Sequence, residues 1–541
     1  MKIRRIAGFA ASVAVGALVL TACSGTSGSK VSTGSSTGGP SKGIVTAWSS
    51  EPQNPLIPTN TNEVGGGKIE DLIFGGLVYY DAKGAPHNEV AKSISTTDAQ
   101  NYTITLKPGE KFTNGDPVDA QSFVDAWNYG ALLSSKQISG SFFAGIEGYS
   151  ADADSTLTGL KVVDATTFTV KLSSPQSDFP LQLGYSAFYP LPKAAFKDIK
   201  AFGENPIGNG PYKLAKAGAW EHNVGIDLVP NAGYTGDRVA QNGGLKLVFY
   251  SNLASAYNDL LSGQLDVLDQ IPDNAYGTYK KELGKRQVNQ PAAIFQSFTI
   301  PNNLAGFTGD EGKLRRAAIS LAINRKEITK VIFQGTRTPA SDFTSPVIAG
   351  WSDSIPGNEV LAYDPTKAKK LWAQADAIAP YTGTFTIGYN ADGGHQAWVD
   401  AVTNSIKNTL GIKAEGKPYA IFADMRKDIT ARTIKGAFRS GWQGDYPGLY
   451  DFLGPIYATG ASSNDGDYSS PQVDALLKKG SAASSIADAN KIYQQVQEVL
   501  FKDLPAIPLW YQNAVGGWST SVNNVEIGWN SVPLLYEVTK N

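Results

Sequence analysis

From Val45 onward the hydrophobic positions switch repeatedly between two periods. Alternation along Tyr102, Ile104, Leu106, then Phe168, Val170, Leu172, then Leu245, Leu247, Phe249, and again Phe385, Ile387, Tyr389 predicts short strands, each flanked by turn residues. Helical spacing takes over elsewhere, with start and stop chemistry in place. Asn324 with Glu327 forms a capping-box pattern ahead of Ile328 and Val331. Asp364 and Pro365 open a stretch placing Ala368, Leu371, Trp372 and Ala375 on one face. Val399, Val402, Ile406 and Leu410 precede Gly411, which suits a left-handed stop, and Ser470 with Pro471 opens a further helix that Gly480 is expected to end. Strands and helices alternating without an internal repeat predict an α/β architecture. The Trp and Phe residues within these stripes read as core.

The amino-terminal region breaks the pattern. Basic residues Lys2, Arg4 and Arg5 precede a 15-residue apolar run from Ile6 to Leu20. As a helix that run would span about 22 Å, short of the roughly 30 Å of a bilayer core, so residues 1–22 read as a signal peptide rather than a membrane span. Leu20, Thr21, Ala22 and Cys23 resemble a bacterial lipobox, which makes Cys23, the single cysteine of the chain, a lipid anchor on the outer face of the plasma membrane. Residues 23–42 then form a Ser/Gly/Thr-rich tether; Ser24 to Pro40 as a flexible coil would reach roughly 23 Å. With Cys23 lipidated no disulfide forms, so stability has to come from buried cores.

The 541 residues amount to roughly three to four domain-sized units. Charged residues at 18% and hydrophobic ones at 42% describe an ordinary globular mix, and 57 glycines with 29 prolines imply many turns. Removing Lys2, Arg4 and Arg5 with the leader takes the formal charge from −2 to −5, which gives no footprint for nucleic acid. A monomer is expected.

Searches for enzyme chemistry find little. The three histidines, His87, His222 and His395, show no metal-ligand spacing, and neither HExxH nor GxSxG occurs. GFTGDEGKL from Gly306 fails as a phosphate loop because Phe307 and Leu314 hold required Gly and Ser/Thr positions. Asp152 and Asp154 begin an EF-hand pattern that Leu157 and Val163 break. No cofactor and no metal are expected, and binding is favoured over catalysis. A scattered carboxylate pair of a glycosidase stays open, because such pairs have no local spacing rule.

The most specific segment is AFRSGWQGDYPGLYDFL, Ala437 to Leu453, with Arg439, Trp442 and Asp445 close together in a Gly-rich aromatic stretch. On local chemistry alone Asp445 caps a turn, Arg439 is a solvated charge and Trp442 is core. Six further blocks stand in order along the chain: SSEPQNPLIP from Ser49, GGLVYYDAKGAPHNEVAKS from Gly75, ITLKPGEKFTNGDPVDAQSFVDAW from Ile104, NPIGNGPYKL from Asn205, LRRAAISLAINRKEI from Leu314 and IPLWY from Ile507. Together they resemble the oligopeptide- and dipeptide-binding lipoproteins of ABC importers, the extracytoplasmic solute-binding proteins of the peptide/nickel group, family 5. The resemblance runs from about Val45 to the carboxyl terminus.

That resemblance implies a two-lobed periplasmic-binding-protein-like type II fold with a discontinuous first lobe. Lobe I would comprise residues 43–81, 205–295 and 511–541, an inserted domain residues 82–204, and lobe II residues 296–510, with a hinge near Gln296 and Trp510. Oligopeptides would be captured between the closing lobes and delivered to an ABC permease, with no bond broken. Arg439 to Tyr446 matches the family's R-x-G-W-x-x-D-Y stretch. By that match Asp445 pairs with the peptide α-ammonium, Gly441 and Gln443 bond the peptide backbone, Trp442 lines a side-chain pocket, and Tyr446 closes the stretch. Arg439 and His395 become candidates for the peptide carboxylate, and Glu51 a weaker contact. Where some relatives carry a lysine ahead of the Gln334–Gly335 turn this chain has Ile332 and Phe333, which leaves the preferred peptide length open. The rivals are the same fold binding an oligosaccharide or a metal chelate, and a surface-anchored hydrolase.

Overall fold

A computed structural model describes residues 42–420 and 422–540. The expected leader, Cys23 and the expected tether up to residue 41 lie outside the described residues.

A 12-stranded mixed sheet forms the frame. Its path from edge to edge runs Lys413–Tyr419, Thr384–Asn390, Ala437–Gln443, Gln287–Thr299, Ala506–Trp518, Val267–Leu268, Ile44–Ser49, Gly244–Phe249, Gly225–Pro230 and Tyr212–Leu214. The two middle strands are 13 residues long, roughly 40 Å each, and pair antiparallel from Gln287 opposite Gly517 to Thr299 opposite Ala506. Their register shifts between Pro291 and Phe295 and again between Gln296 and Ser297. Gln296 and Trp510 lie directly opposite each other, and the Trp510 indole Nε1 donates to Gln296 Oε1 at 2.5 Å.

A second, four-stranded antiparallel sheet joins Ala91–Ser95, Asn101–Leu106, Thr167–Lys171 and Leu160–Asp164. The helix Ala120–Ala131 lies over it. Asp119 caps that helix through a reciprocal capping box with Ser122, and its Phe123 stacks on Phe168 with centroids 5.8 Å apart. This sheet shares one core with the first strand of the large sheet: Trp127, Phe168, Ile73, Val45 and Leu247 are buried in a single cluster. A separate cluster gathers Phe298, Ile387, Val402, Val496 and Trp510.

The predicted strands form where the alternation places them. Asp364 accepts Lys367 N–H at 2.9 Å at the start of Pro365–Ile378, and Gly411 ends Gln396–Leu410 at φ 72°. Asn324 accepts Glu327 N–H at 3.2 Å, one half of the expected capping box. Gly480 does not stop its helix. Pro471–Ser481 runs one residue past it, and a Cβ at Gly480 would sit 2.3 Å from the Tyr493 ring, so the glycine serves helix packing.

Two of the sequence blocks have structural reasons. In NPIGNGPYKL, Gly208 and Gly210 pass so close to Ile73 that an added Cβ would lie 2.0 Å from its carbonyl oxygen and 2.6 Å from its carbonyl carbon, while Gly210 N–H donates to that oxygen at 2.7 Å. Asn209 between them accepts Gly75 N–H at 3.0 Å and donates to Gly75 O at 2.9 Å. In LRRAAISLAINRKEI the arginines are buried struts. Arg325 donates to the carbonyls of Pro508, Ser320 and Leu361 at 2.8, 2.9 and 2.8 Å, and burial lowers its guanidinium to about 9.

Candidate functional site

The strand Ala437–Gln443 pairs with Thr384–Asn390 only at Ala437 and Phe438. From Ser440 to Gln443 it is paired along Gln287–Thr299, and Gly441 and Gln443 are exposed. Gly444 then turns the chain by donating to Ala293 O at 2.8 Å, where a Cβ would meet Trp529 and Phe452 at 3.1 and 3.2 Å. Asp445 follows, and the helix Leu449–Tyr457 begins after Gly448 with Asp451 in its first turn.

Asp451 shapes this turn from inside. Its Oδ2 accepts Asp445 N–H at 2.9 Å and Trp442 Nε1–H at 3.2 Å. The Asp445 carboxylate itself faces a cavity of about 520 Å³. Among the described residues no hydrogen-bond donor reaches that carboxylate, and burial pushes it up to about 7. Asp451 is raised well above the usual range, first by burial and then by the charge of Asp445. An acid in such a place lacks a cation.

Aromatic rings form much of the remaining wall. Tyr80 packs edge-on against Trp529 at 5.6 Å and donates its hydroxyl to Leu181 O, while Tyr185 and Tyr189 add two further rings. Lys68 and Asp71 lie on one helix, Val64–Ile73, whose Glu63 cap accepts Gly65 and Gly66 N–H at 2.7 and 2.8 Å. Single aromatic residues on separate elements carry no local ligand signal in the sequence. Tyr80, Tyr185, Trp529 and Asp451 were accordingly missed; Asp451 alone had one, standing six residues after Asp445 in the same block.

The structure brings Gly441, Trp442, Gln443 and Asp445 together on this cavity. It places the other candidates elsewhere. Tyr446 is buried behind the wall and donates its hydroxyl to Asp178 at 3.3 Å, an acid that burial raises to about 6. Glu51 accepts Trp220 Nε1, His222 Nδ1 and Asn223 N at 3.1, 2.8 and 2.9 Å, so it ties the end of the first strand to a neighbouring hairpin. Arg439 donates Nε to Asn390 Oδ1 at 2.8 Å and lies 4.7 Å from the Phe422 ring, and His395 Nδ1 accepts Trp398 Nε1–H at 3.1 Å; neither lines the cavity. Among the described residues no cluster of His, Cys, Asp or Glu is arranged to hold a metal ion, and no helix is long and apolar enough to cross a membrane.

A family profile described as "Bacterial extracellular solute-binding proteins, family 5 Middle" matches residues 85–464. The chain belongs to this family. Among other relatives, this family 5 protein is 28% identical over 461 residues to the periplasmic murein peptide-binding protein MppA of Escherichia coli, covering 82% of each chain. To the oligopeptide-binding protein OppA of Bacillus subtilis it is 25% identical over 479 residues, 84% of this chain and 85% of that one. Solved structures agree on the fold. The unliganded open form of MppA superposes with a TM-score of 0.77 over 93% of this chain and 98% of its own at 22% identity. Haemophilus influenzae OppA in complex with RPPGFSPFR gives 0.74 over 93% and 99%, also at 22% identity. The family 5 protein therefore has the two-lobed, periplasmic-binding-protein-like α/β fold.

Proposed function

We propose that this protein captures oligopeptides between two lobes and delivers them to an ABC permease. The observation that carries this is the Asp445 carboxylate: it faces a large cavity, lacks a donor, and is desolvated enough that a cation bound there is strongly favoured. A peptide α-ammonium supplies three donors and one positive charge to it. The exposed edge from Ser440 to Gln443 supports the same reading, since an extended peptide beside it gains main-chain hydrogen bonds as an added strand. Pairing of that kind ignores side chains, so sequence tolerance is broad. The peptide-binding relatives MppA and OppA support the substrate class.

In this reading residues 43–81, 205–295 and 511–541 form lobe I, residues 82–204 an inserted domain and residues 296–510 lobe II. The lobes close about the Gln296–Trp510 crossing, and the permease recognises the closed form. The mature chain is anchored by lipid on Cys23, works as a monomer and catalyses nothing.

Titration calorimetry with a free peptide and its N-acetylated twin tests the central pairing. The free peptide is expected to bind, acetylation to abolish most of the heat, and Asp445→Asn to remove the difference, with a loss of about 3 to 5 kcal/mol for the free peptide. Equal affinity of both peptides for the native protein would take Asp445 out of this role.

A further inference from the structure

Holding an ammonium at one end leaves the rest of the cavity wall to select among peptides, and its charges are unequal. Among the described residues only two cations line it, Lys68 and Arg238. Both are already neutralised. Lys68 Nζ lies 2.6 Å from Asp269 Oδ2, the two side chains being 1% and 4% exposed, and it also donates to Trp48 O at 3.1 Å. Arg238, 2% exposed, directs Nε and Nη2 to Glu89 at 2.8 and 3.0 Å and Nη1 to Asp71 at 3.1 Å.

The carboxylates are not balanced in the same way. One guanidinium serves both Glu89 and Asp71, which leaves an excess negative charge there, and the Asp71 side chain is 48% exposed. Asp81 also lines the cavity, 39% exposed, held by Lys83 and Ala85 N–H groups at 2.8 and 2.9 Å and by His87 at 3.2 Å. Glu63 faces its own helix N-terminus and is excluded from this excess. Asp445 supplies the third uncompensated acid. Tyr80 stands between the two ends: its hydroxyl is raised well above the usual range by burial and then by the charges of Asp451, Asp445 and Asp71. Rings of Tyr79, Tyr185, Trp442 and Trp529 fill the intervening wall, and such faces attract cations as well.

Building on the peptide reading above, we propose that the cavity selects peptides bearing positive charge beyond the α-ammonium, on lysine or arginine side chains, through Asp71 and Asp81. The same imbalance gives the peptide carboxylate no cation on this wall, so the carboxyl end leaves the cavity. Stripping Arg238 or Lys68 from its buried acid to meet a ligand anion would strand that acid.

Calorimetry on the full mature chain with peptides of equal length, free at the amino end and differing only in one Lys, Gln or Glu residue, tests this. The Lys peptide is expected to bind about tenfold more tightly than the Gln peptide and the Glu peptide more weakly than either, with the gaps shrinking as salt rises. Amidation of the carboxyl end should leave affinity unchanged or improve it. Asp71→Asn and Asp81→Asn should each narrow the Lys-to-Gln ratio; Asp71 also holds Arg238, and if its variant unfolds the exposed Asp81 decides. Equal affinities across the series, or a marked loss on amidation, overturn the inference while the peptide reading stands. Failure of every peptide to bind removes the peptide reading itself.

Discussion

At the scale of single residues, Asp445 and Asp451 show how one turn separates two acids into different jobs. Asp451 accepts two N–H donors and holds the turn; Asp445 is left facing the cavity. Because burial raises Asp445 from 3.8 to about 7, its two proton-linked effects have opposite signs. In the ligand-free protein the native state holds this proton between about pH 4 and 7 while the unfolded chain releases it, so this group makes the fold more stable as pH falls through 7. Ammonium binding needs the ionised form, so peptide affinity falls over the same interval. Calorimetry is expected to show affinity about a hundredfold weaker at pH 5 than at pH 8, with a proton released on binding at pH 6. A flat profile across that interval would mean the acid is already ionised before peptide arrives. The letters R, W, D and Y of this stretch were readable in the chain, but Tyr446 proved to be a support for Asp178 and Arg439 a partner of Asn390, and only spatial neighbours could reveal that.

At the scale of elements, the two 13-residue strands matter most. They run through both halves of the large sheet, and their register shifts at the point where Gln296 faces Trp510. Local irregularity in an otherwise continuous ladder is where a pair of strands bends most readily. Peptide binding is therefore expected to reduce the radius of gyration measured by small-angle X-ray scattering, and Asp445→Asn with the same peptide should leave it at the ligand-free value. No change in the native protein at saturating peptide would rule out closure about this crossing. Strand and helix positions were legible from periodicity, since alternation and cap residues act within a few positions. Gly480 was not: its reason is Tyr493 on the next helix, and a glycine enforced by packing looks like a glycine that ends a helix.

At the scale of the whole molecule, the family 5 fold sets a cavity of aromatic rings and acids beside separately packed cores, and the lipobox-like junction predicts where that machine is kept. Two acyl chains or more hold a protein durably on a bilayer. The native protein is expected in the membrane fraction with a lipid mass on its amino-terminal Cys23, and Cys23→Ala should release it to the soluble export-side fraction; recovery of the native protein there without lipid would refute the anchor.

Short-range order was thus written in the chain itself: alternating strands and helices, the blocks that mark the family, and the acid on which the peptide reading rests. The fold alone decided which charges are available. Lys68 finds Asp269 201 positions away and Arg238 finds Glu89 149 positions away, so both cations of the cavity are neutralised by residues that no local window contains. Charge compensation acts through space and burial, and both of these come into being only when distant segments pack.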